Sequence, residues 1–407
     1  MMRNPIPFNS VSMFITLSSA AVAYVCGCSD NIVVGDEELR DAGAELGKGD
    51  GAVNDGGSSV AGNGADPGSE ANRGIPLTPI VPFAIGCNDS HELTPIVTPT
   101  ISWKDAIADA NACDLAADAT SGVVMACASS NPTTVGVAAL PAGQNKEMFV
   151  QKRAPNGGGL LFNTPVAGLS PLDIAPSGSG DTFVLGAMNP ATDQDPALGL
   201  VKITSTGSIA WNKKFYKLYD TTLAYGALAV ANDGTVWVTG STNFVAAQFD
   251  DSGNELRRIP MASGGNPGWG AAQAIRILSN GDLLVAGTID SPIDFGGGAL
   301  GSPSDALSSG FLARFTATGQ YVKSQVFNQN SGVAAVGLAV GADGSIVLTG
   351  NLNGTKSIFG CSYTSPMARG FVAKFDDALS VQWTTLVPAG VGGPQIDAQG
   401  NIILSTK

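Results

Sequence analysis

A glycine-led strand motif recurs five times along this 407-residue chain and limits the folds that it can adopt. In each copy a turn glycine precedes a short, mainly apolar run. The glycines are separated by 54, 47, 63 and 56 residues, and they are Gly180, Gly234, Gly281, Gly344 and Gly400. A period near 50 residues is typical of propeller blades or of linear arrays. The sequence therefore predicts a domain built from repeated β-units.

Each repeat contains the signals of two β-hairpins. A candidate strand precedes every turn glycine, and three of the connecting turns read Asn-Asp-Gly, Ser-Asn-Gly or Ala-Asp-Gly. Such dipeptides supply the positive φ that tight hairpin turns need. Segments with alternating apolar and polar residues follow each first hairpin after a variable loop, at 199–211, 244–256, 310–322 and 370–383. Two hairpins make a four-stranded blade.

The fold class predicted from these repeats is all-β, a repeat-built β-propeller with five blades. The last repeat stops at Lys407 after one hairpin, and residues 148–162 match the missing second hairpin. We therefore expect strands from both ends of the domain to complete one blade, which removes exposed sheet edges. A further hairpin within residues 119–140 would give six blades. An open array of the same units is the alternative.

The N-terminus has the pattern of an export signal. Arg3 precedes an uncharged, mainly apolar run over residues 11–25, which is short for a transmembrane helix. Residues 25–28 read Val-Cys-Gly-Cys and resemble a bacterial lipobox, which implies that Cys28 is the lipid attachment site. Ala21-Val22-Ala23 offers ordinary signal peptidase a competing cleavage site. We therefore predict a lipoprotein signal peptide over residues 1–27, with secretion of a free protein as the alternative.

An acidic segment over residues 28–82 follows the signal. Residues 29–82 contain ten acidic and three basic residues, so they supply −7 of the net charge of −13. They contain no aromatic residue, and such a segment buries too little apolar surface to offset its conformational entropy. We predict a disordered tether. The acidity also argues against nucleic acid as a partner, because the phosphate backbone would be repelled.

Cysteines and carboxylates are the remaining candidates for chemistry. With Cys28 lipidated and Cys26 removed, an even number of cysteines remains, which predicts two disulfides in an oxidising compartment. The pairing nearest in sequence joins Cys113 to Cys127 and leaves Cys87 for Cys361, although three connectivities stay open. The spacing contains no Cys-x-x-Cys motif, so we predict no metal site and no cofactor.

No catalytic constellation is evident. The sole histidine, His91, lies in a polar stretch, and a surface position is the simpler interpretation. Adjacent or near-adjacent carboxylates occur at Asp193 and Asp195, Asp250 and Asp251, and Asp376 and Asp377. The last two pairs follow the same outer strand of the repeat, where aspartates are typical of turns. They would serve glycoside hydrolysis only if two carboxyl groups converged in a pocket.

Two loop motifs give the chain a family resemblance. Asp294-Phe295-Gly296-Gly297-Gly298 leads into a Gly-Phe-Leu-Ala-Arg-Phe strand at residues 310–315, and a weaker copy at residues 357–360 leads into Phe-Val-Ala-Lys at 371–374. Over residues 145–407 the chain resembles the bacterial β-propeller repeat (SBBP-type) lipoproteins. The resemblance implies a propeller and carries over no catalytic residue.

The predicted organisation places the propeller at residues 146–407 and leaves residues 83–145 as a cysteine-containing segment without an assigned task, in which 103–117 has helical character. We expect a lipid-anchored, non-enzymatic scaffold at the outer membrane or cell surface. Its partners would be the membrane and a protein or glycan, bound through loops such as those at Trp269 and residues 288–309. The alternative is a carbohydrate-active enzyme with acidic residues in the propeller channel.

Overall fold

The computed structural model is all-β throughout the residues that it describes. The described residues are 10–18, 21–27, 103–108, 110–118, 122–129, 134–135, 138–139, 147–155, 159–188, 197–216, 226–240, 245–260, 270–289, 292–300, 309–327, 333–352, 356–359, 361–363, 369–387, 392–396, 400 and 402–404. No helix long and apolar enough to cross a membrane occurs within these ranges.

A three-stranded antiparallel sheet comes first in the chain. Its strands are β1 (Ser10–Ser18), β2 (Ala21–Gly27) and β3 (Trp103–Ala108), and β1 lies in the middle. Strands β1 and β2 fall within the segment predicted to be a signal peptide, and export stays a prediction.

Five four-stranded antiparallel sheets follow, and we call them units 1 to 5. Unit 1 contains β4 (Ala110–Ala117), β5 (Val123–Ser129), a small hairpin of β6 (Thr134–Val135) and β7 (Ala138–Ala139), β8 (Glu147–Arg153) and β9 (Leu160–Val166). Unit 2 contains β10 (Leu169–Pro176), β11 (Thr182–Met188), β12 (Ala197–Ile203) and β13 (Ile209–Tyr216). Unit 3 contains β14 (Gly226–Val230), β15 (Val236–Gly240), β16 (Val245–Phe249) and β17 (Glu255–Pro260).

Units 4 and 5 each add a small hairpin between their second and third long strands. Unit 4 contains β18 (Gly270–Ile277), β19 (Leu283–Ile289), the hairpin β20 (Ile293–Asp294) and β21 (Ala299–Leu300), β22 (Ser309–Phe315) and β23 (Tyr321–Phe327). Unit 5 contains β24 (Ala334–Val340), β25 (Ile346–Leu352), the hairpin β26 (Lys356–Ile358) and β27 (Cys361–Tyr363), β28 (Arg369–Phe375) and β29 (Val381–Val387). A C-terminal hairpin of β30 (Gln395–Ile396) and β31 (Ile402–Ile403) ends the described chain.

The hairpin turns confirm the interpretation of the repeat. All five motif glycines have positive φ, between 80° and 87°, at the connection between a first and a second strand. The four long strands of each unit pair in chain order, and only the small hairpins interrupt the order in sequence. This is the strand order of propeller blades.

The hydrophobic core lies between neighbouring units. The first strands β4, β10, β14, β18, β24 and β30 lie next to one another in that order. Separate apolar clusters fill the interfaces between units 1 and 2, units 2 and 3, units 3 and 4, and units 4 and 5. A smaller cluster packs unit 5 against the C-terminal hairpin. The array therefore continues from each unit to the next by face-to-face packing of sheets.

The two glycine-rich loop motifs contribute to this packing. The carboxylate of Asp294 accepts hydrogen bonds from the backbone N–H groups of Gly296 and Gly298, at 2.7 and 3.0 Å, which closes the loop. The Phe295 ring then packs on Phe311 with 5.0 Å between centroids. In the weaker copy, the ring of Phe359 packs on Phe327 at the interface between units 4 and 5, with 4.9 Å between centroids. The motifs that carry the family resemblance therefore stabilise the core.

The sequence-based expectations are wrong at the start of the repeats. Residues 103–117 form strands β3 and β4 instead of a helix, because pairing with β1 and β5 overrides the helix propensity of this alanine-rich segment. The hairpin at 147–166 completes unit 1 with β4 and β5, and it does not pair with the C-terminal hairpin. The composite blade predicted from both chain ends is therefore wrong in its strands. The domain boundary predicted at residue 146 would separate β4 and β5 from β8 and β9 of the same sheet.

Candidate functional site

A pair of aspartates on the first strands of units 1 and 2 is the most distinctive polar feature of the array. Asp114 lies opposite Ala126 in unit 1, and Asp173 lies opposite Leu185 in unit 2, which are equivalent register positions. Each follows a β-bulge, which redirects the side chains near it. Units 3, 4 and 5 carry small residues at the equivalent position, namely Ala227, Ala274 and Gly337.

The two carboxylates meet at one backbone donor. The N–H of Ile174 donates to Oδ2 of Asp114 and to Oδ1 of Asp173, both at 2.9 Å. The other oxygen of Asp173 accepts a hydrogen bond from the N–H of Leu228 in unit 3, at 2.7 Å. The carboxylates thus connect the first strands of three consecutive units. We call Asp114 and Asp173 the acid pair.

The surroundings of the acid pair favour a shared proton. Burial raises the pKa of Asp114 well above its usual value, and the charge of Asp173 raises it further. Burial also raises the pKa of Asp173, although the charge of Arg276 and several hydrogen bonds oppose this effect. The carboxyl groups hydrogen bond to each other, with the bond raising the pKa of Asp114 and lowering that of Asp173. Both carboxyl groups therefore have raised pKa values, and the pKa of Asp114 is raised more.

A disulfide adjoins the acid pair in unit 1. Cys113 and Cys127 face each other across β4 and β5 and are bonded, with an S–S distance of 2.08 Å. This is one of the connectivities that the sequence left open. Cys361 begins β27, but its side chain and the residues Cys28 and Cys87 lie outside the described part of the structure. The predicted bridge between Cys87 and Cys361 stays a prediction.

The recurring aspartates after the outer strands are turn residues. Asp250 accepts hydrogen bonds from the N–H groups of Ser252 and Asn254, at 2.9 and 2.8 Å. Asp251 forms an ion pair of 2.6 Å with Lys202 of the preceding unit. Asp376 repeats the turn role by accepting the N–H of Ser380. The structure thus places these candidate carboxylates in turns and blade contacts, as the simpler interpretation predicts.

Other candidate residues lie outside the described ranges. These are His91, Asp193, Asp195, Trp269 and, in the predicted binding loop at 288–309, residues 290, 291 and 301–308. Within the described ranges, no group of three or more His, Cys, Asp or Glu side chains is arranged to hold a metal ion.

Sequence reasoning missed the acid pair because it located the strands before the turn glycines without comparing them position by position, and it assigned helical character to the segment that contains Asp114. Alignment of the preceding first strands would have placed Asp114 and Asp173 in register with Ala227, Ala274 and Gly337. A charged residue at a position that other repeats keep small is the signal that identifies the pair. The hydrogen bond between the two carboxyl groups depends on the packing of units 1 and 2, so no sequence pattern would reveal it.

Comparison with known proteins gives similarity at the level of solved structures. No protein-family model matches the chain, and no curated protein matches it. A protein of unknown function from Bacteroides caccae aligns with 71% of this chain and 86% of its own, at 12% identity and a TM-score of 0.41. Virginiamycin B lyase from Staphylococcus aureus aligns over 72% and 90%, at 11% identity and a TM-score of 0.37.

A third similar structure is a gluconolactonase from Xanthomonas campestris. It aligns with 69% of this chain and 72% of its own, at 13% identity and a TM-score of 0.33. Two of these three proteins are enzymes by name, but identities and TM-scores this low transfer no activity to the present chain. The resemblance to SBBP-type lipoproteins stays a resemblance, because no family model matches.

Proposed function

We propose that the chain is an exported, lipid-anchored surface protein whose repeat domain is a non-enzymatic propeller scaffold for a protein or glycan. The observation that carries export is the disulfide between Cys113 and Cys127. Disulfides persist in oxidising compartments outside the cytosol, where a signal peptide would deliver the chain. Lipidation of Cys28 and the tether over residues 28–82 would then attach the scaffold to a membrane.

A closed ring of six blades is our proposal for the scaffold. The first strands of consecutive units pack side by side, from β4 through β10, β14, β18 and β24 to β30, which supports an arrangement of first strands around a common axis. The C-terminal hairpin supplies the first two strands of a sixth blade. Strand β3 leads into β4 across one residue, much as the outer strand β9 leads into β10 across two, so β3 would be the outer strand of that blade.

The scaffold role is favoured over catalysis by how the carboxylates are used. Retaining glycosidases hold two carboxyl groups about 5 Å apart, with the substrate between them. The acid pair is in mutual hydrogen-bond contact and also accepts backbone N–H groups. Backbone donors thus occupy both oxygens of Asp173 and one oxygen of Asp114. The same pair is nevertheless the observation that keeps a carbohydrate-active enzyme as the second candidate.

Lipid attachment is tested by intact mass and membrane partition of the full chain expressed in a Gram-negative host. We expect a mass increase of one lipid modification and recovery with membranes. Both should be lost in Cys28→Ala and retained in Cys26→Ala, the matched control. A soluble product cleaved near Ala23 in all three chains would contradict the anchor and support free secretion.

A glycan array that is read for both binding and bond cleavage distinguishes the scaffold hypothesis from the enzyme hypothesis. We expect the protein to bind without cleaving any glycan, and Asp173→Asn to bind with unchanged affinity. Cleavage that Asp114→Asn and Asp173→Asn both abolish, while the turn variant Asp250→Asn retains it, would establish the carbohydrate-active enzyme instead.

A further inference from the structure

The N–H of Ile174 serves two carboxylates at once. Both acceptor oxygens lie 2.9 Å from this nitrogen, so the carboxyl groups of Asp114 and Asp173 are held near each other by the backbone. Two full negative charges so close together on half-buried side chains repel each other. One proton between the carboxyl groups removes this repulsion and adds a hydrogen bond. The geometry therefore requires a proton for its full set of contacts.

The pair occurs only at the junction of units 1 and 2 among the described units. Alanine or glycine at the equivalent position of units 3 to 5 shows that a unit folds and packs without a carboxylate there. The pair is therefore a local addition to the repeat. It joins β4 to β10 through Asp114, and β10 to β14 through Asp173.

We propose that a single proton shared by Asp114 and Asp173 latches the first strands of units 1 and 2 together, so that this junction loosens when alkaline solution removes the proton. This inference goes beyond the proposed scaffold role, because it concerns how the array opens and does not depend on what the scaffold binds. The chemistry is reversible: the proton passes from the Asp114 carboxyl group to solvent and no other bond changes.

The charged groups around the acid pair influence which of its two carboxyl groups keeps the proton. Arg276 on β18 is a cation whose charge acts on Asp173. Strand β14 carries no titratable side chain, and the only such residue on β5, Cys127, is in the disulfide. Because Arg276 favours the ionised form of Asp173, the proposed latch has its proton on Asp114.

The pH dependence follows from this assignment. A carboxyl group with a raised pKa in the folded protein binds a proton that the unfolded chain releases. The latch is therefore complete at acidic pH, and its contribution to stability falls as pH rises through the raised pKa of Asp114.

Hydrogen exchange of the full chain between pH 5 and pH 9 tests the latch. After correction for intrinsic exchange rates, protection of residues 169–176 and 226–230 should fall as pH rises toward the raised pKa of Asp114 and should level off above it. The expected fall is about tenfold per pH unit, which is the slope for loss of one proton. In Asp114→Asn, the fall of protection with pH should be much smaller, because the amide donates to Asp173 and accepts from Ile174 at every pH. Asp233→Asn, a turn variant, should retain the slope of the parent.

Two results would overturn the proposal. The first is a parent protein whose protection does not change with pH, and the second is an Asp114→Asn variant with the slope of the parent. If Asp114→Asn does not fold, infrared absorption of the parent near neutral pH decides the matter. The parent should show a protonated carboxyl group that Asp173→Asn shifts in frequency, and its absence would exclude the shared proton.

Discussion

The junction between units 1 and 2 differs in chemistry from the junction between units 4 and 5. At the later junction, the rings of Phe327, Phe359, Phe371 and Phe375 pack with centroids 4.9 to 5.9 Å apart. The earlier junction contains one buried aromatic ring, Phe162, among aliphatic side chains, and it adds the acid pair. One repeat thus holds its neighbours by aromatic packing at one position and by polar contacts at another.

This difference shows at which positions the repeat accommodates polar side chains. The first-strand position that carries Asp114 and Asp173 is occupied by Gly337 in unit 5, where the backbone of residues 392–394 approaches closely. Polar side chains are therefore accommodated where the neighbouring strand leaves room and offers N–H donors. Elsewhere the units rely on apolar burial, which is the dominant favourable term in folding.

The largest expected effect comes from breaking the aromatic junction. Phe371 is fully buried and contacts the ring of Phe327. We expect Phe371→Ala to lower the free energy of unfolding by about 3 to 5 kcal/mol, because it removes buried area and leaves a cavity. Denaturant titration measures the loss. Phe162→Ala at the earlier junction should cost less, and equal losses would show that the two junctions do not differ in this respect.

The disulfide of unit 1 should produce the second largest effect. It closes a loop with a sequence separation of 14 residues. The double change Cys113→Ala and Cys127→Ala should lower the free energy of unfolding by about 3 kcal/mol, because the unfolded chain gains conformational freedom. The parent protein in reductant should match the variant in denaturant titration. No difference between the oxidised and the reduced parent would mean that β4 and β5 are held by packing alone.

A smaller loss of stability is expected in unit 5, where Gly337 occupies the position equivalent to the acid pair and close neighbours leave no space for a side chain. A Cβ at residue 337 would lie 2.5 Å from Cα of Gly393 and 2.6 Å from Cδ of Pro394. We expect Gly337→Ala to cost about 1 to 3 kcal/mol, because the C-terminal segment must shift. The reverse change in unit 4, Ala274→Gly, should cost about 0.5 to 1 kcal/mol. A neutral Gly337→Ala in thermal unfolding would show that residues 392–394 move without penalty.

Sequence alone predicted the repeats because turn chemistry is local. The residues next to Gly234 and Gly281 indicate the hairpin turns, and the strands on either side form as predicted. The first unit was predicted only in part, because β4 and β5 are rich in alanine, and residues 110–117 lack the alternation that marked the other strands. The sequence analysis therefore paired the C-terminal hairpin with residues 148–162, which in the structure belong to unit 1.

The candidate site was less predictable, because its properties arise between units. The spacing of Cys113 and Cys127 suggested their disulfide, since the two residues are near in sequence. Asp114 and Asp173 are 59 positions apart, and only the packing of β4 against β10 brings their carboxyl groups together. The effect of Arg276 on the pKa of Asp173 depends in addition on the packing of β10 against β14 and of β14 against β18.

The smallest expected effect contrasts a turn aspartate with the acid pair. Asp233 accepts hydrogen bonds from the N–H and the hydroxyl group of Thr235, at 2.9 and 2.7 Å, and these bonds lower its pKa. A lowered pKa contributes stability above the usual carboxyl pKa and loses it as pH falls, which is opposite in sign to the acid pair. Because Asp233 is mainly exposed, Asp233→Asn should remove only a few tenths of a kcal/mol near neutral pH.

The measurement for this contrast is thermal unfolding as a function of pH. Asp233→Asn should flatten the acidic limb of the stability profile and leave the alkaline limb unchanged, whereas Asp114→Asn should flatten the alkaline limb. An alkaline change in Asp233→Asn would mean that the turn of unit 3 and the first strands unfold as one titrating unit. Separate limbs would mean that each carboxylate acts through its own hydrogen bonds, so that the repeat is loosened by acid at its turns and by alkali at its first junction.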